Sequence, residues 1–509
     1  MRRPQTPNPR RTPTLLVVAL TLAPTALLCP ARTSAQATLS VEEALARAAQ
    51  RSPSLRASVA DAHAARESSL SAEAARAPVF TASASGAYQE SLLATTLAVL
   101  PVGTQSLGAS TGVSYTTELG TALSIEVGTE IGWRSTSVTP ASSMLVTIGP
   151  NYGVDLSISA RQPLLRGAGD DATLATIREA RATQSQAERT RDEAASTLMR
   201  DVLVAYWELW YAERAVQVQE EALRVAEEQA RQARIRHEDL GLLAATEALR
   251  FHSELASVRQ QRSQAEHTRQ TRALELARLL ALDDGSSLGV TGAPPEVSPP
   301  PSVASLRATA RASSSELLAL QAQVDASEAR ARGAADADQI RVDLTATVGM
   351  AGLWTDTTLA NLALPNDRPA FGGQLGLEME LPLGERQAAA EHRRASAQVE
   401  AAEARYDAGV DRIESEVAQQ HAALLQAIEV IALTAEIADV ARALAEAEQR
   451  ELELGTTTAT EVIQAQQAHR EAELARLRAV VDQVSASLAL DHVTGALLTR
   501  YAALAGSGS

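Results

Sequence analysis

The chain repeats itself, and a chain built from two copies of one unit is expected to fold as two like units. Ser40-Val41-Glu42-Glu43-Ala44-Leu45 running to Pro53-Ser54-Leu55 resembles Val303-Ala304-Ser305-Leu306 running to Ser315-Glu316-Leu317. Gln162-Pro163-Leu164 answers Leu381-Pro382-Leu383, and the run from Leu240 to Glu247 answers that from Leu454 to Glu461. The landmarks keep one order in both halves. Between them, 283–301 is rich in Gly, Ser and Pro, as a connector would be. Each half reads as helix, strands, long helix, tight turn and returning helix. The first repeat is 38–282 and the second 302–499, with 500–509 as a tail.

The long helices are expected over 171–239 and 385–454. In the first, Val202, Tyr206, Leu209, Val216, Leu223, Ala226, Ala230 and Ala233 fall at spacings of threes, fours and sevens, the seam of helices that supercoil. Ile413, Val417, Leu424, Ile428, Ile431, Ala435 and Ala438 do the same in the second. Seams that thin to alanine let helices approach closely. At ~1.5 Å per residue each long helix spans on the order of 100 Å. The opening helices (40–75 and 302–336) and returning helices (242–282 and 456–493), stacked end to end, match one long helix. Four rods per chain, arranged as two antiparallel hairpins, follow from these lengths.

Between opening and long helices the hydrophobic period changes to two. From Thr121 to Trp133, Leu123, Ile125, Val127, Ile131 and Trp133 alternate with Ser124, Glu126, Gly128, Glu130 and Gly132. The same alternation runs through Tyr152–Ser159, Val342–Met350 and Phe371–Leu381, and more weakly through Val79–Tyr88 and Gly112–Leu119. A soluble sandwich gives this pattern too. Segment lengths near the ~9 to 11 residues that cross a bilayer, and aromatics near their ends, favour a membrane barrel. Strand regions are set at 79–161 and 342–381, with external loops at 89–111, 134–151 and 351–370. Four or six strands are too few to enclose a pore, so several chains must share one barrel.

The start of the chain supports export. Arg2, Arg3, Arg10 and Arg11 precede an apolar stretch, Leu15 to Leu28, and Ala35-Gln36-Ala37 is a small-x-small cleavage site, so 1–37 reads as a signal peptide. Removing it deletes five arginines and no acid, which takes the formal charge from -16 to -21 and disfavours nucleic acid as a partner. Cys29 is the only cysteine, and Leu28 before it is larger than a lipoprotein site wants. The mature chain then has no thiol for disulfides, metal binding or catalysis. No later segment has the ~18 uninterrupted apolar residues of a membrane helix, so membrane insertion must use strands.

The doubled Ser-Val-Glu-Glu-Ala-Leu type of opening, Gln162-Pro163-Leu164-Leu165-Arg166-Gly167 leaving the strands, and the Gly241-Leu242 and Gly455-Thr456 turns together resemble the TolC family of outer-membrane efflux proteins over nearly all of the mature length. The resemblance implies an α+β membrane protein: a homotrimer with one antiparallel β-barrel in the outer membrane and a periplasmic α-barrel of long helical hairpins. It implies a passive duct of a tripartite efflux or type I secretion system, a conduit rather than an enzyme, with no cofactor. The implied partners are a periplasmic adaptor, an inner-membrane pump and outer-membrane lipid. The family carries four strands per chain against six alternating segments here. Gly112–Leu119 is short for a crossing, so Gly112–Trp133 is read as an extracellular elaboration rather than an enlargement of the barrel to eighteen strands.

By the same resemblance, the tip turns Gly241, Leu242, Leu243, Gly455, Thr456 and Thr457 dock the adaptor. The implied periplasmic gate falls on Glu247 and Glu461, with Glu453 and Asp239 nearby. Where well-known members carry an arginine and a further acid at the second tip, this chain has Thr457 and Gln464, so the gate network is only partly present. Arg234, Arg236, His237, Glu238, Arg450 and Glu451 offer other pairs, or simply a solvated helix end.

Chemistry is sparse elsewhere. The eight histidines show no metal-ligand spacing. Glu42-Glu43 and Asp170-Asp171 sit where helices start and acids suit the dipole. Gly167-Ala168-Gly169 lacks the lysine of a phosphate loop. Trp207, Trp210 and Tyr211 read as packing or tunnel-mouth aromatics. A rival of another class, an exported coiled-coil adhesin or spacer, explains the heptads and the signal but not strands recurring at matching places in both halves.

Overall fold

The computed structural model describes residues 37–94, 99–137, 145–239, 244–282, 285, 287–354, 370–381 and 387–505. The expected signal segment up to residue 36 and the turn residues Gly241, Leu242 and Leu243 lie outside the described residues.

A short strand β1 (Ala37–Leu39) leads into α1 (Val41–Arg51) and α2 (Pro53–Ala74). Ser40 and Glu43 form a reciprocal capping box at the start of α1. The single opening helix expected over 40–75 is divided at Ser52. Pro53 has no amide to continue the ladder and favours a first helical position, and Ser52 caps the new start through its Oγ to the Leu55 amide. Four strands follow, β2 (Val79–Ala94), β3 (Val99–Thr116), β4 (Ala122–Ser137) and β5 (Leu145–Pro163), then a single turn α3 (Asp170–Thr173) and the long helix α4 (Ala175–Glu238). The chain returns along α5 (Ala245–Leu279).

The connector holds a short strand, β6 (Leu288–Val290), which pairs in parallel with β1. The second half opens with α6 (Val303–Ser313) and α7 (Ser315–Ala337), divided at Ser314 as α1 and α2 are at Ser52. Then come β7 (Arg341–Trp354), β8 (Ala370–Glu380), the long helix α8 (Gln387–Leu454) and the return helix α9 (Ala459–Val493). α10 (Ala496–Ala505) carries the helix into the expected tail. At ~1.5 Å per residue α4 and α8 run roughly 100 Å.

The helical seams are set by side-chain size. Val202, Tyr206, Leu209, Val216, Ala226, Ala230 and Ala233 are buried on α4, and Ile413, Val417, Leu424 and Ala438 on α8. The largest core lies midway, where Tyr206, Trp207 and Trp210 pack with Leu39, Leu45, Leu276, Leu280, Val484 and Leu497. Tyr206 meets Trp207 edge-on at 5.0 Å between ring centroids. Its hydroxyl donates to the Leu39 carbonyl at 2.9 Å and accepts the Thr291 amide at 3.1 Å, while Trp210 Nε1 donates to the Gly292 carbonyl. These two aromatics clasp the β1–β6 pair against α4, so they pack a core belt. Among the described residues no helix is long and apolar enough to cross a membrane.

The other six strands form one antiparallel sheet in the order β2-β3-β4-β5-β7-β8. Six strands are therefore paired, the larger of the two numbers the sequence left open, and the loop assignments are corrected. The segment 89–111, read as an external loop, is paired strand on both sides: β2 reaches Ala94 and β3 begins at Val99. β4 likewise reaches Ser137, β5 starts at Leu145 and β7 reaches Trp354, inside the expected loops. Ser, Thr and Gly suit a loop, but they equally suit the wet face of a strand whose neighbours are small. Ser83 and Ser110 meet across the β2–β3 ladder with hydroxyl oxygens 2.9 Å apart. Gly112–Trp133 therefore falls on β3, β4 and the turn between them, both strands being paired within the sheet.

The tight turn between β3 and β4 rests on the start of the helical region. Thr117 N donates to the Thr121 carbonyl at 2.9 Å, and Gly169 N to the Leu119 carbonyl at 3.3 Å. Gly120 has φ +86°, and a Cβ there would lie 2.2 Å from the Gly167 carbonyl oxygen. Gly167 N in turn donates to Asp336 Oδ2 at 2.9 Å, and Leu164 N to the Val342 carbonyl. The segment leaving the first-half strands is thus held on the second half.

Candidate functional site

Function was expected at the ends of the helical hairpins, and the polar face of the sheet is a second region that gathers charge. At the second tip, Gly455 takes φ +77°, Gly455 N donates to the Leu452 carbonyl and Thr456 N to that of Glu451. This is the paired-bond helix stop that glycine permits without a Cβ clash. Thr458 then caps α9 in a box with Glu461: its amide donates to Glu461 Oε2 at 2.9 Å, and its Oγ1 accepts the Glu461 amide at 3.4 Å. Thr457 Oγ1 sits 2.6 Å from Glu461 Oε2 and 2.7 Å from Glu448 Oε2, so one hydroxyl lies between two carboxylates. The hydrogen bonds from Thr457 and Thr458 hold the Glu461 carboxyl below its ordinary range.

The two tips meet. Arg250 Nη1 on α5 donates to Thr460 Oγ1 on α9. Ala230 and Ala233 of α4, Ala248 and Phe251 of α5, and Ala459 of α9 form one buried cluster with Leu452 at its edge. Glu247 lies in the first turn of α5, half-buried, while Asp239 and Glu453 are exposed at the ends of α4 and α8. Among the described residues, no arginine forms an ion pair with Asp239, Glu247, Glu453 or Glu461, and Arg450 Nε donates to the Glu446 carbonyl.

Three features at or near the tips went unforeseen. Thr457 replaces an expected arginine yet still bridges two acids. Phe251 fills the junction of the tips. Deeper in, Glu254 and Arg470 form an ion pair at 2.8 Å with both side chains nearly excluded from solvent, and Gln467 Nε2 donates to the other carboxylate oxygen. An apolar neighbour at helical spacing would have betrayed Phe251, but pairs separated by over two hundred residues leave no local signal.

The sheet has one apolar and one polar face. Phe80, Val113, Ile125, Ile158, Val348, Leu375 and Leu377 lie on the first, many well exposed. Tyr115 and Phe80 stand at its helix-side end, Tyr88, Trp133 and Tyr152 toward the other. The polar face carries Glu126, Glu130 and Asp155, and the Asp155 carboxylate occupies the space above Gly128, where a Cβ would lie 2.4 Å from Oδ1. At its helix-side end Arg161 and Arg341 both bond the buried Asp343, with Nε to Oδ2 distances of 2.7 Å, and Arg341 also reaches Glu380 at 3.0 Å. Among the described residues no cluster of three or more His, Cys, Asp or Glu is placed to hold a metal ion.

Residues 306–496 match the outer membrane efflux protein family model. No curated protein sequence matches the chain. Several solved structures are similar, among them the following three. One is the outer membrane protein VceC from Vibrio cholerae, with 17% identity, 89% of this chain and 96% of that one covered, and TM-score 0.62. Another is the Campylobacter jejuni CmeC outer membrane channel, with 12% identity, 92% and 90% coverage and TM-score 0.64. The third is the open state of the Neisseria gonorrhoeae MtrE outer membrane channel, with 17% identity, 90% and 89% coverage and TM-score 0.59. Residues 306–496 are thus similar to the outer membrane efflux proteins, and the chain as a whole shares the fold of these outer membrane channels.

Proposed function

We propose that the chain is the outer-membrane channel of an efflux or type I secretion system, a trimer whose sheets join into a barrel in the outer membrane and whose helices extend into the periplasm as a tunnel. The observation that carries this reading is a six-stranded antiparallel sheet with an apolar, aromatic-bounded face, standing on helices roughly 100 Å long. Phe80 and Tyr88 lie about 26 Å apart along the strand, which a barrel tilt of about 40° turns into roughly 20 Å of height, most of the apolar band of an outer-membrane barrel. A single sheet of this kind cannot stand alone in lipid, which is where further copies enter.

The helices support the same reading. Leu433, Ile437, Val440 and Leu444 of α8 form a second apolar stripe at spacings of four, three and four, each at least half exposed in one chain. A neighbouring copy is the natural cover for a stripe parallel to an already filled seam. The duct is passive, driven by an inner-membrane pump through a periplasmic adaptor that docks on the tip turns at 241–243 and Gly455, Thr456 and Thr457. Glu247, Glu461, Glu453 and Asp239 would line the periplasmic gate, where carboxylates repeated around a threefold axis favour cations.

Purified protein tests this directly. A heat-modifiable oligomer that requires detergent and conducts ions across planar bilayers is expected. A water-soluble rod that never conducts would overturn the reading and favour a structural coiled-coil role.

A further inference from the structure

The sheet ends in two open edges. Among the described residues β2 is paired only with β3, and β8 only with β7, so 16 and 11 residues respectively present one unpaired row of amides and carbonyls. Within hydrocarbon such a row has no water to satisfy it, and an open edge is not tolerated there.

We propose that β2 of one copy pairs with β8 of the next, and that all six strands of every chain, including β3 and β4, enter the membrane, so that three copies close a barrel of eighteen strands. This rests on the trimeric duct reading above and fixes the surface by which copies of the chain join.

Direction and face both fit. β2 runs away from the helices and β8 runs back toward them, so their pairing is antiparallel, like every other pair in the sheet. The apolar residues of β2 are even-numbered (Phe80, Ala82, Tyr88) and those of β8 odd-numbered (Phe371, Leu375, Leu377, Met379). A single apolar face across the junction therefore requires each pair to join an even position of one strand to an odd position of the other. That halves the permitted registers.

β3 and β4 cannot be set aside as an outside ornament, because among the described residues they alone join β2 to β5 in the sheet. Val113 stands between Phe80 and Ile125 in one cross-strand row, and Ile125 continues it to Ile158. Gln105 links Tyr88 to Trp133 in another row farther out. The apolar band thus runs unbroken through both strands, with aromatics at matching heights. Barrel diameter grows roughly in proportion to strand number, so eighteen strands enclose a lumen about half as wide again as twelve.

The only cysteine is Cys29, so single cysteines report cleanly beyond it. In the oligomer reconstituted in liposomes, Ile125→Cys and Val127→Cys are expected to react with a lipid-soluble thiol reagent, and Ser124→Cys and Glu126→Cys with a water-soluble maleimide. On β8, Leu375→Cys and Leu377→Cys against Gln374→Cys and Glu378→Cys should show the same alternation. If β8 alternates while all four β4 positions react only with the maleimide, β3 and β4 lie outside the bilayer and the proposal falls. If neither strand alternates, the duct reading falls with it. Cysteine pairs combining Ala82, Ala84 or Tyr88 with Phe371, Leu375 or Leu377 should yield reducible dimers and trimers in at least one register. A conducting oligomer in which none of these pairs crosslinks would exclude the edge pairing.

Discussion

Glu254 of α5 and Arg470 of α9 form an ion pair 2.8 Å long with only 6% and 10% of their side chains exposed. It joins the two helical hairpins, with Gln467 Nε2 donating to the other Glu254 oxygen. Removing one partner leaves a charge buried without its counterion, which typically costs roughly 3–5 kcal/mol. Glu254→Leu and Arg470→Leu should each lower the thermal midpoint of the helical circular-dichroism signal markedly. The double Leu variant should recover much of the loss, because two apolar chains can pack where one orphaned charge cannot. A double variant as unstable as the sum of the singles would show that the two charges are not coupled, and would trace the loss to packing instead.

Gly120 to Ala should be far more damaging than Gly169 to Ala, although both glycines adopt positive φ, +86° and +88°. At Gly169 nothing lies within 4 Å of the added methyl, so only the conformational penalty of about 1–3 kcal/mol applies. At Gly120 the methyl would also meet the Gly167 carbonyl at 2.2 Å and Pro163 Cγ at 2.9 Å. The β3–β4 turn would have to leave the helical region. Yields of heat-modifiable oligomer from the two variants measure the difference.

Glu461 has a cap to serve as well as its proposed place at the gate, and two substitutions separate the roles. Glu461→Gln keeps an acceptor for the Thr458 amide and the Thr457 hydroxyl but removes the charge; Glu461→Ala removes both. Cation preference in planar bilayers should weaken in both variants if the carboxylate faces the pathway, with thermal stability falling only in Ala. Currents unchanged in both would confine Glu461 to capping α9.

The helices were legible because their signal is local. A seam residue such as Val202 or Tyr206 announces itself through neighbours three, four and seven positions away, and each lies buried as that spacing requires. Gly455 was legible for the same reason, as a glycine ending one periodic run before another. Of β3 only the end was, as the alternation through Gly112–Leu119. Its polar-face row of Thr104, Ser106, Gly108 and Ser110 has loop composition, and only the ladder to β2 and β4 makes it a strand. Glu254 and Arg470 were silent because no rule of spacing joins positions that far apart. The acids of the tips could be named, but whether Thr457 would take a bridging place was a matter of side-chain reach rather than of sequence pattern.

Glu213 supplies a pH test of the core belt around Tyr206. Burial raises its carboxyl above the ordinary range, against the hydrogen bond from the Val290 backbone and the attraction of Arg269 and Arg214. A raised native value means that the fold favours the neutral acid. Below the ordinary carboxylate range, about pH 4, both native and unfolded chains hold the proton and the group is neutral in its effect. As pH rises the unfolded chain ionises first, and the native state loses stability until its own carboxyl ionises. Glu213→Gln keeps an acceptor for Val290 and never ionises. Its thermal midpoint should therefore exceed that of the parent at pH 7, and the gain should shrink toward zero at pH 4. An equal gain at both pH values would trace the effect to packing rather than to the cost of burying the charge.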